Sequence, residues 1–501
     1  MNSTKSSARA RLLTKGASRL ALGVALSVVV AGSAFAQSQG ALRVTITGSS
    51  GQPVAGATVV IKSPDSLITR TATTDADGKV RVSGLDPATN YTVSIASSGY
   101  KDFNASNVAV SAGKDLSVGY ALASDENAVE QIVVTGRSLA AVDVTSATVG
   151  TTLTLGVVES LPTGRNYQSY LQLVPGVKPS SGGNPASRSG VNYSDVGGTI
   201  GQSTDNVYYL DGVNVTDPLT GTFGSNFNSE IIQEQQVTVG GLPAESAGGS
   251  GLVSRVVTKS GSNEWHGSVN YYLQNDKLVA KDKHSTSGGF KTYDTAFTLG
   301  GPIIKDKLWV FGSYQKKHRS DEVLDPVTGA VRRNVTNDAK YAFFKTTWQI
   351  TDNDRLTGTF FNDPTEISGS RSASTLNNRD SAQKQGGDNY KIDYSRTWGD
   401  LLINAYYYNH KAELTTLAAD QSTRNTVTFR GTGSTQAQRE LGGAGANSET
   451  HRNSEEWGAK LEYYLDTDFG SHTFKGGYSM TDNIYKRNAT VPGNATYTSI
   501  A

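Results

Sequence analysis

The sequence contains no cysteine, which excludes disulfide staples, thiolate metal sites and a cysteine nucleophile. It has no tryptophan and no histidine before residue 265; all 5 tryptophans and all 6 histidines follow. Apart from Leu20–Ala31 it has no long apolar run. No helix of the roughly 20 apolar residues that span a bilayer is therefore expected after that point. A closed β-barrel stays open as a possibility, because it too satisfies every backbone group in lipid. Net charge is small, +1 over 501 residues, and removing the 5 basic residues of the acid-free first 36 leaves −4. A weakly acidic remainder argues against nucleic acid as a partner. What is abundant is glycine, at 54 residues, and tyrosine, at 23. That is a composition of strands and turns.

Residues 1–36 have the anatomy of an export signal. Lys5, Arg9, Arg11, Lys15 and Arg19 precede the apolar run "LALGVALSVVVA", and "GSAFA" places the small residues Ala34 and Ala36 at cleavage spacing. The run is about 12 residues, short for a spanning helix. Residues 37–124 then read as short strands, "ALRVTIT", "ATVVIKS", "KVRVSGL", "NYTVSIASSGY" and "KDLSVGYAL", at a spacing that suggests a small β-sandwich. The "DADG" at Asp75–Gly78 reads as a hairpin turn, since it lacks the further acids of a calcium loop. The run "GQPVAGATVVI…TTDADGKVRVSGL…YTVSIASSGY" resembles the carboxypeptidase-regulatory-like domain, a transthyretin-like accessory sandwich without an active site.

Residues 125–145 lose this punctuation. Within them Ile132, Val133 and Val134 form a short β-prone run between Glu130 and Arg137. An accessible extended segment of this kind can be captured as an added strand on a partner's sheet. The octapeptide Glu130, Gln131, Ile132, Val133, Val134, Thr135, Gly136, Arg137 resembles the TonB box of TonB-dependent outer-membrane receptors.

Residues 146–262 read as a mixed α+β unit. A short amphipathic helix is expected around Tyr167, Tyr170, Leu171 and Val174, ended by Pro175-Gly176. "DNVYYLDGVNV" reads as a strand with a tight turn at Asp211-Gly212. The glycine run at 248–251 lacks the Lys-Ser/Thr of a phosphate loop and leads into a strand. The segments "LPTGRNYQSYLQLVPGV", "VYYLDGVNV" (with its Leu210, Asp211 and Gly212) and "IQEQQVTVGGLPAESAGGSGLVSRVVTKSG" resemble the plug domain of TonB-dependent receptors. With the N-terminal sandwich they resemble the Oar-like branch of that family.

At "TKSGSNEWHGSV", Thr258–Val269, the pattern changes. Trp265, Gly267, Val269, Tyr271 and Leu273 alternate with His266, Ser268, Asn270, Tyr272 and Gln274. Pleating sends the two sets to opposite faces, one suited to lipid and one to water. Eight further segments follow, near 291–301, 307–316, 339–350, 355–362, 388–398, 401–411, 455–465 and 472–481. Short turns are expected at 302–306, 351–354, 399–400 and 466–471, and long polar loops at 276–290, 317–338, 363–387 and 412–454. Such alternation marks outer-membrane barrels. Trp265, Trp309, Trp348 and Trp398 fall at the short-turn end and Trp457 near the other, as aromatic girdles would. Nine strands cannot close the wide barrel around a plug, for which 22 are used, so residues 263–501 are expected to be part of a larger barrel.

The fold class expected is therefore mainly β: a sandwich, an α+β plug, then the first part of a transmembrane antiparallel barrel. No enzyme is expected. His410 and Glu413 form an H-x-x-E, but residues three apart on a strand face opposite sides, and no further ligand cluster stands beside them. No cofactor is expected. The resemblance implies a receptor that takes an extracellular ligand on its outer loops and plug apex. It also implies TonB, with its inner-membrane energising complex, as partner, and outer-membrane lipid around the barrel. A surface adhesin or structural barrel without transport is the competing reading. The long loops hold no His or Cys cluster that would name a metal, and the ligand stays unnamed.

Overall fold

The computed structural model describes residues 39–64, 69–124, 148–154, 156–157, 161, 165–179, 194–195, 203–242, 250–280, 288–369, 377, 380–421, 426–429, 439–442, 446–467 and 469–492. The first unit is a sandwich of two sheets. Strands β1 (Gly40–Gly48), β2 (Thr58–Lys62), β3 (Arg70–Thr73), β4 (Lys79–Leu85), β5 (Ala88–Ala96), β6 (Phe103–Val110) and β7 (Asp115–Leu122) pair in the orders β4-β1-β7 and β3-β2-β5-β6. Alternate residues point inward, as pleating requires. Leu42, Val44 and Ile46 from one sheet meet Val59, Ile61, Tyr91, Val93 and Ile95 from the other. The Tyr91 hydroxyl is satisfied by donating to the Asp86 carbonyl at 2.9 Å. Asp75 accepts from the backbone N–H of Asp77 and Lys79, so "DADG" is a turn held by its own first residue.

The second unit contains β8 (Val149–Thr154), helix α1 (Tyr167–Leu171), β9 (Lys178–Pro179), β10 (Ser194–Asp195), β11 (Val207–Leu210), β12 (Val213–Asn214), β13 (Ile232–Gly240) and β14 (Val253–Thr258). Five of these strands form one sheet in the order β12-β11-β14-β13-β8. Helix α1 begins where expected because the Asn166 side chain accepts from the Ser169 N–H at 3.0 Å. Its Tyr167, Tyr170 and Leu171 are buried with Leu210, Ile231, Val237 and Val256.

The third unit is a single antiparallel sheet of twelve strands. They are β15 (His266–Asn275), β16 (Phe290–Ile304), β17 (Leu308–Leu324), β18 (Val331–Gln349), β19 (Asp354–Asn362), β20 (Thr365–Ser368), β21 (Ser381–Gly386), β22 (Asp388–Trp398), β23 (Leu401–His410), β24 (Glu413–Ala418), β27 (Asn447–Thr467) and β28 (Gly470–Thr490); the separate hairpin β25 (Thr426–Phe429) and β26 (Arg439–Gly442) lies between. Strands β20, β21 and β24 prolong β19, β22 and β23, so twelve reduce to the nine that alternation foretold. The short turns fall at the expected places, with Ile304 joined to Leu308, Gln349 to Asp354 and Trp398 to Leu401.

Two expectations need correction. The regions 317–338, 363–387 and 412–454 are in large part strand, not loop: β17 and β18 pair from Leu308↔Trp348 to Leu324↔Val331. In these regions polar residues fall on both faces of the strands, so the alternation fades while the backbone ladder continues. The second correction concerns Trp309. Trp265, Trp348, Trp398 and Trp457 are exposed on the outer face, Trp398 at 71%, but Trp309 is 0% exposed. It points inward and its indole N–H donates to Asn263 Oδ1 at 2.9 Å. It locks the chain entering the barrel and takes no part in the girdle.

Candidate functional site

The plug sits against the inner face of the barrel sheet. Its core continues into Phe311, Phe343, Phe361, Tyr406 and Tyr408 of the barrel. Between the two lies a cavity of about 940 Å³. Three polar contacts fix the plug on the barrel, the first two of them along this cavity.

The first is centred on Asp211. Leu210, Asp211 and Gly212 close the β11–β12 hairpin, with Leu210 opposite Val213. Asp211 and Gly212 both have positive φ, 46° and 83°, which is the two-residue hairpin geometry that Asp-Gly favours. Leu210 is buried in the plug core. The turn thrusts the Asp211 carboxylate out of the plug at the barrel wall. There it accepts from the Thr258 N–H at 2.8 Å and hydroxyl at 2.5 Å, and from Lys345 Nζ at 3.1 Å. Lys391 Nζ donates to the Asp211 carbonyl at 2.6 Å and pairs with Asp393 at 3.0 Å. Burial pushes the Asp211 carboxyl up, but Lys345, the two Thr258 donors and Lys391 outweigh it. The carboxyl is held below its usual range and stays ionised.

The second contact is Arg165, from the "LPTGR" segment. Its guanidinium reaches Glu230 of the plug at 2.8 Å and Asp294 of the barrel at 3.4 Å, and lies 3.6 Å above the Tyr272 ring. Glu230 also accepts from Asn270 of β15 at 2.8 Å. The inward set of β15 named from alternation, Ser268, Asn270 and Tyr272, thus lines the cavity.

The third lies at the opposite end of the plug. The breaks in β19/β20, β22/β21 and β23/β24 occur at one height, where Asp363 accepts from the Asn226 N–H of the plug at 2.6 Å and the Gly387 N–H at 3.0 Å. Arg452 of β27 pairs with Asp217 of the plug at 2.5 Å. His410 is buried there on Asn389 Oδ1 at 2.5 Å, whereas Glu413 pairs with His451 at 3.3 Å. The H-x-x-E residues take different partners, and among the described residues no group of acids and histidines is placed to hold a metal.

Glu130–Arg137 lies outside the described residues. Of the remaining site residues expected, Asp211 is placed at the plug–barrel contact, while Leu210 and Gly212 shape the turn that presents it. Lys345, Lys391, Thr258, Arg165 and Asp363 were not singled out from sequence. The signal for the two lysines was present: "AFFKTTW" and "NYKIDY" each place a lysine on the polar face of a barrel strand.

Comparison with known proteins agrees with this architecture. Residues 41–123 match the carboxypeptidase regulatory-like domain, and residues 257–331 match an outer membrane beta barrel domain. The chain is similar to the TonB-dependent transporter Oar of Myxococcus xanthus, 29% identical over 309 residues, which is 58% of this chain and 28% of Oar. Its fold resembles the siderophore receptor PirA of Acinetobacter baumannii, with a TM-score of 0.50 at 17% identity over 67% of this chain and 48% of that one. It also resembles the ferripyoverdine receptor of Pseudomonas aeruginosa, with a TM-score of 0.52 at 12% identity over 75% of this chain and 48% of that one. At these identities the structures speak to fold alone, and the chain corresponds to less than two thirds of each of these proteins. These relatives are transporters and receptors rather than enzymes. In its two domain matches, its curated relative and its plug against a barrel sheet, the chain is similar to the Oar-like TonB-dependent receptors of the outer membrane.

Proposed function

We propose that this chain is part of a receptor that carries an extracellular ligand across the outer membrane, with the plug moved by TonB. Residues 1–36 direct export and are removed. Residues 37–124 form a periplasmic accessory sandwich, 125–145 a linker carrying the TonB box, 146–262 the plug, and 263–501 barrel wall set in outer-membrane lipid. The ligand binds at the outer end of plug and barrel. TonB, energised by its inner-membrane complex, pairs with Glu130–Arg137 as an added strand and pulls on the plug.

The observation that supports this most is the way the plug is fastened. It is registered on the wall by a few discrete ionic contacts, Asp211 with Lys345 and Arg165 with Asp294 beside a cavity of about 940 Å³, and Asp217 with Arg452 at the other end. A permanently structural core has no need of that arrangement. The test is Val133→Pro in the full-length parent. Proline removes a backbone donor and fixes φ, so it disrupts strand pairing. Energised accumulation should be abolished while ligand binding to cells at low temperature is kept, at matched outer-membrane abundance. Unchanged accumulation would make Glu130–Arg137 a mere linker and favour an adhesin. Loss of binding as well would place the segment inside the folded plug.

A further inference from the structure

The sandwich does not hang free of the barrel. It sits at the short-turn end and touches three successive parts of the rim. Asp86, in the β4–β5 turn, takes a two-pronged bond from Arg355 of β19, at 2.5 and 3.0 Å. Arg70 donates to the Asp352 carbonyl in the β18–β19 turn. Arg43 and Arg81 lie over the Tyr464 ring of β27 at 4.6 and 4.7 Å, and Arg81 is 3.9 Å from Glu462. Gly84 lies against Thr397 at the end of β22.

The sandwich also holds the plug. The Ala112 N–H donates to Glu234 of β13 at 3.3 Å, and Gln236 of β13 donates to the Ala112 carbonyl at 2.6 Å. Gln39, Asp86 and Pro87 form one wall of the plug–barrel cavity. The apolar clusters divide differently. The plug's cluster runs into the barrel, but the sandwich's cluster holds sandwich residues alone. The sandwich is therefore complete by itself and joined to the rest through ion pairs, hydrogen bonds and guanidinium stacking. Interfaces of that polar kind between domains part readily.

We propose that the N-terminal sandwich is a detachable stopper, seated by Asp86 on Arg355 and by Arg43 and Arg81 on Tyr464, that closes the short-turn end of the plug–barrel cavity. Its partner is the chain's own barrel rim and the plug strand β13. Because it grips both, the plug cannot shift along the wall without breaking the bonds at Ala112 or unseating the sandwich. The inference rests on the transport reading only for the statement that this end faces the periplasm. Docking and cavity access can be measured without any ligand or TonB.

The test uses the full-length parent in nanodiscs, carrying no cysteine besides those introduced. A Cβ on Gly84 lies 3.4 Å from Thr397 Oγ1, close to the spacing a disulfide requires. Gly84→Cys with Thr397→Cys should cross-link in most molecules on mild oxidation. Asp86→Arg should lower that fraction several-fold, and adding Arg355→Asp should restore it. Gly84 has φ 72°, so Gly84→Cys alone controls for backbone strain. A second readout avoids that position: Ser395 lines the cavity, and Ser395→Cys should react with a small maleimide several-fold faster in the Asp86→Arg background, returning to its slow rate when Arg355→Asp is added. Absence of the cross-link in folded protein overturns the docking. A cross-link indifferent to charge reversal means the sandwich is fixed, and an unchanged Ser395→Cys rate means it closes nothing; either outcome rejects the stopper.

Discussion

Inside the sandwich, Leu42, Val44, Ile61, Tyr91 and Ile95 pack apolar side chain on apolar side chain. Where the plug meets the barrel, Asp211, Lys345 and Thr258 are buried too, but as a charged hydrogen-bonded group. The plug leans some apolar surface on Phe311 and Phe343 as well, yet its register on the wall is set by charge. The two modes respond differently to change. Dispersion and burial are non-directional, so a core yields gradually as atoms are removed. A buried ion pair is worth little net against water, but each partner is costly without the other. A contact of the second kind stays firm while intact and fails abruptly when one member is drawn away. That behaviour suits a part that must be held and then released.

The largest expected effect separates the two modes directly. Lys345→Ala leaves Asp211 buried beside Thr258 without its nearest cation, and loss of one partner of a buried pair costs about 3–5 kcal/mol. The plug's amides should exchange faster by a corresponding factor, read by hydrogen exchange in the full-length protein, while the sandwich is unmoved. The double change Asp211→Asn with Lys345→Met should recover most of that loss, because it removes both charges and keeps their volume. If the double change is as damaging as the single one, the contact is not electrostatic and the comparison breaks.

The matching experiment in the sandwich is Leu42→Ala. Leu42 is fully buried, so removing its side chain costs about 2–5 kcal/mol through lost transfer energy and a residual cavity. Here no second substitution that removes a charge can restore stability. Local exchange should rise in β1, β4 and β7 while the Asp211 contact keeps its protection. Spread of the loss to the plug would mean that the two units fold as one, against the division of their apolar clusters.

Much of this was legible beforehand, for reasons that also explain what was not. The Asp211-Gly212 turn, helix α1 and the nine barrel strands depend on local chemistry: residues that tolerate positive φ, a side-chain cap, a period of two. The partners of Asp211 do not. Lys345 is 134 residues away, and nothing local tells a lysine facing a plug from one facing a water-filled lumen. Trp309 looked like a girdle residue because it sits at a strand end, but its neighbour Asn263 offered an acceptor on the inner side. The outer halves of β17, β18 and β27 escaped because polar residues on both faces of a strand read as loop. The seating of the sandwich rests on Asp86 meeting Arg355 across 269 residues, which no periodicity encodes.

The smallest expected effect concerns pH, and it has opposite signs at the two interfaces of the plug. Asp211 is held below its ordinary value of 3.8 by Lys345 and Thr258 against the cost of burial. A depressed carboxyl contributes stability that is complete above the unfolded value and is lost as pH falls through the folded one. Glu234, which joins the plug to the sandwich through Ala112, is raised above 4.5 by burial, which outweighs its bonds from Gln236, Ser111 and Ala112 and the nearby Lys114. A raised carboxyl binds its proton more readily folded than unfolded, so its contribution improves as pH falls toward 4.5 and declines as pH rises. Acidification from neutrality toward pH 4.5 should therefore tighten the sandwich on the plug slightly, while the Asp211 contact with the barrel is unchanged. Below about pH 4 the barrel contact should weaken. Hydrogen exchange across β13 and the β11–β12 turn, followed from pH 7 to pH 3 and corrected for intrinsic rates, separates the two. Glu234→Gln should abolish the first trend and spare the second. Asp211→Asn should do the reverse. A common trend in both regions would mean that sandwich, plug and barrel open together, and that the contrast between a held contact and a permanent core is not used in this chain.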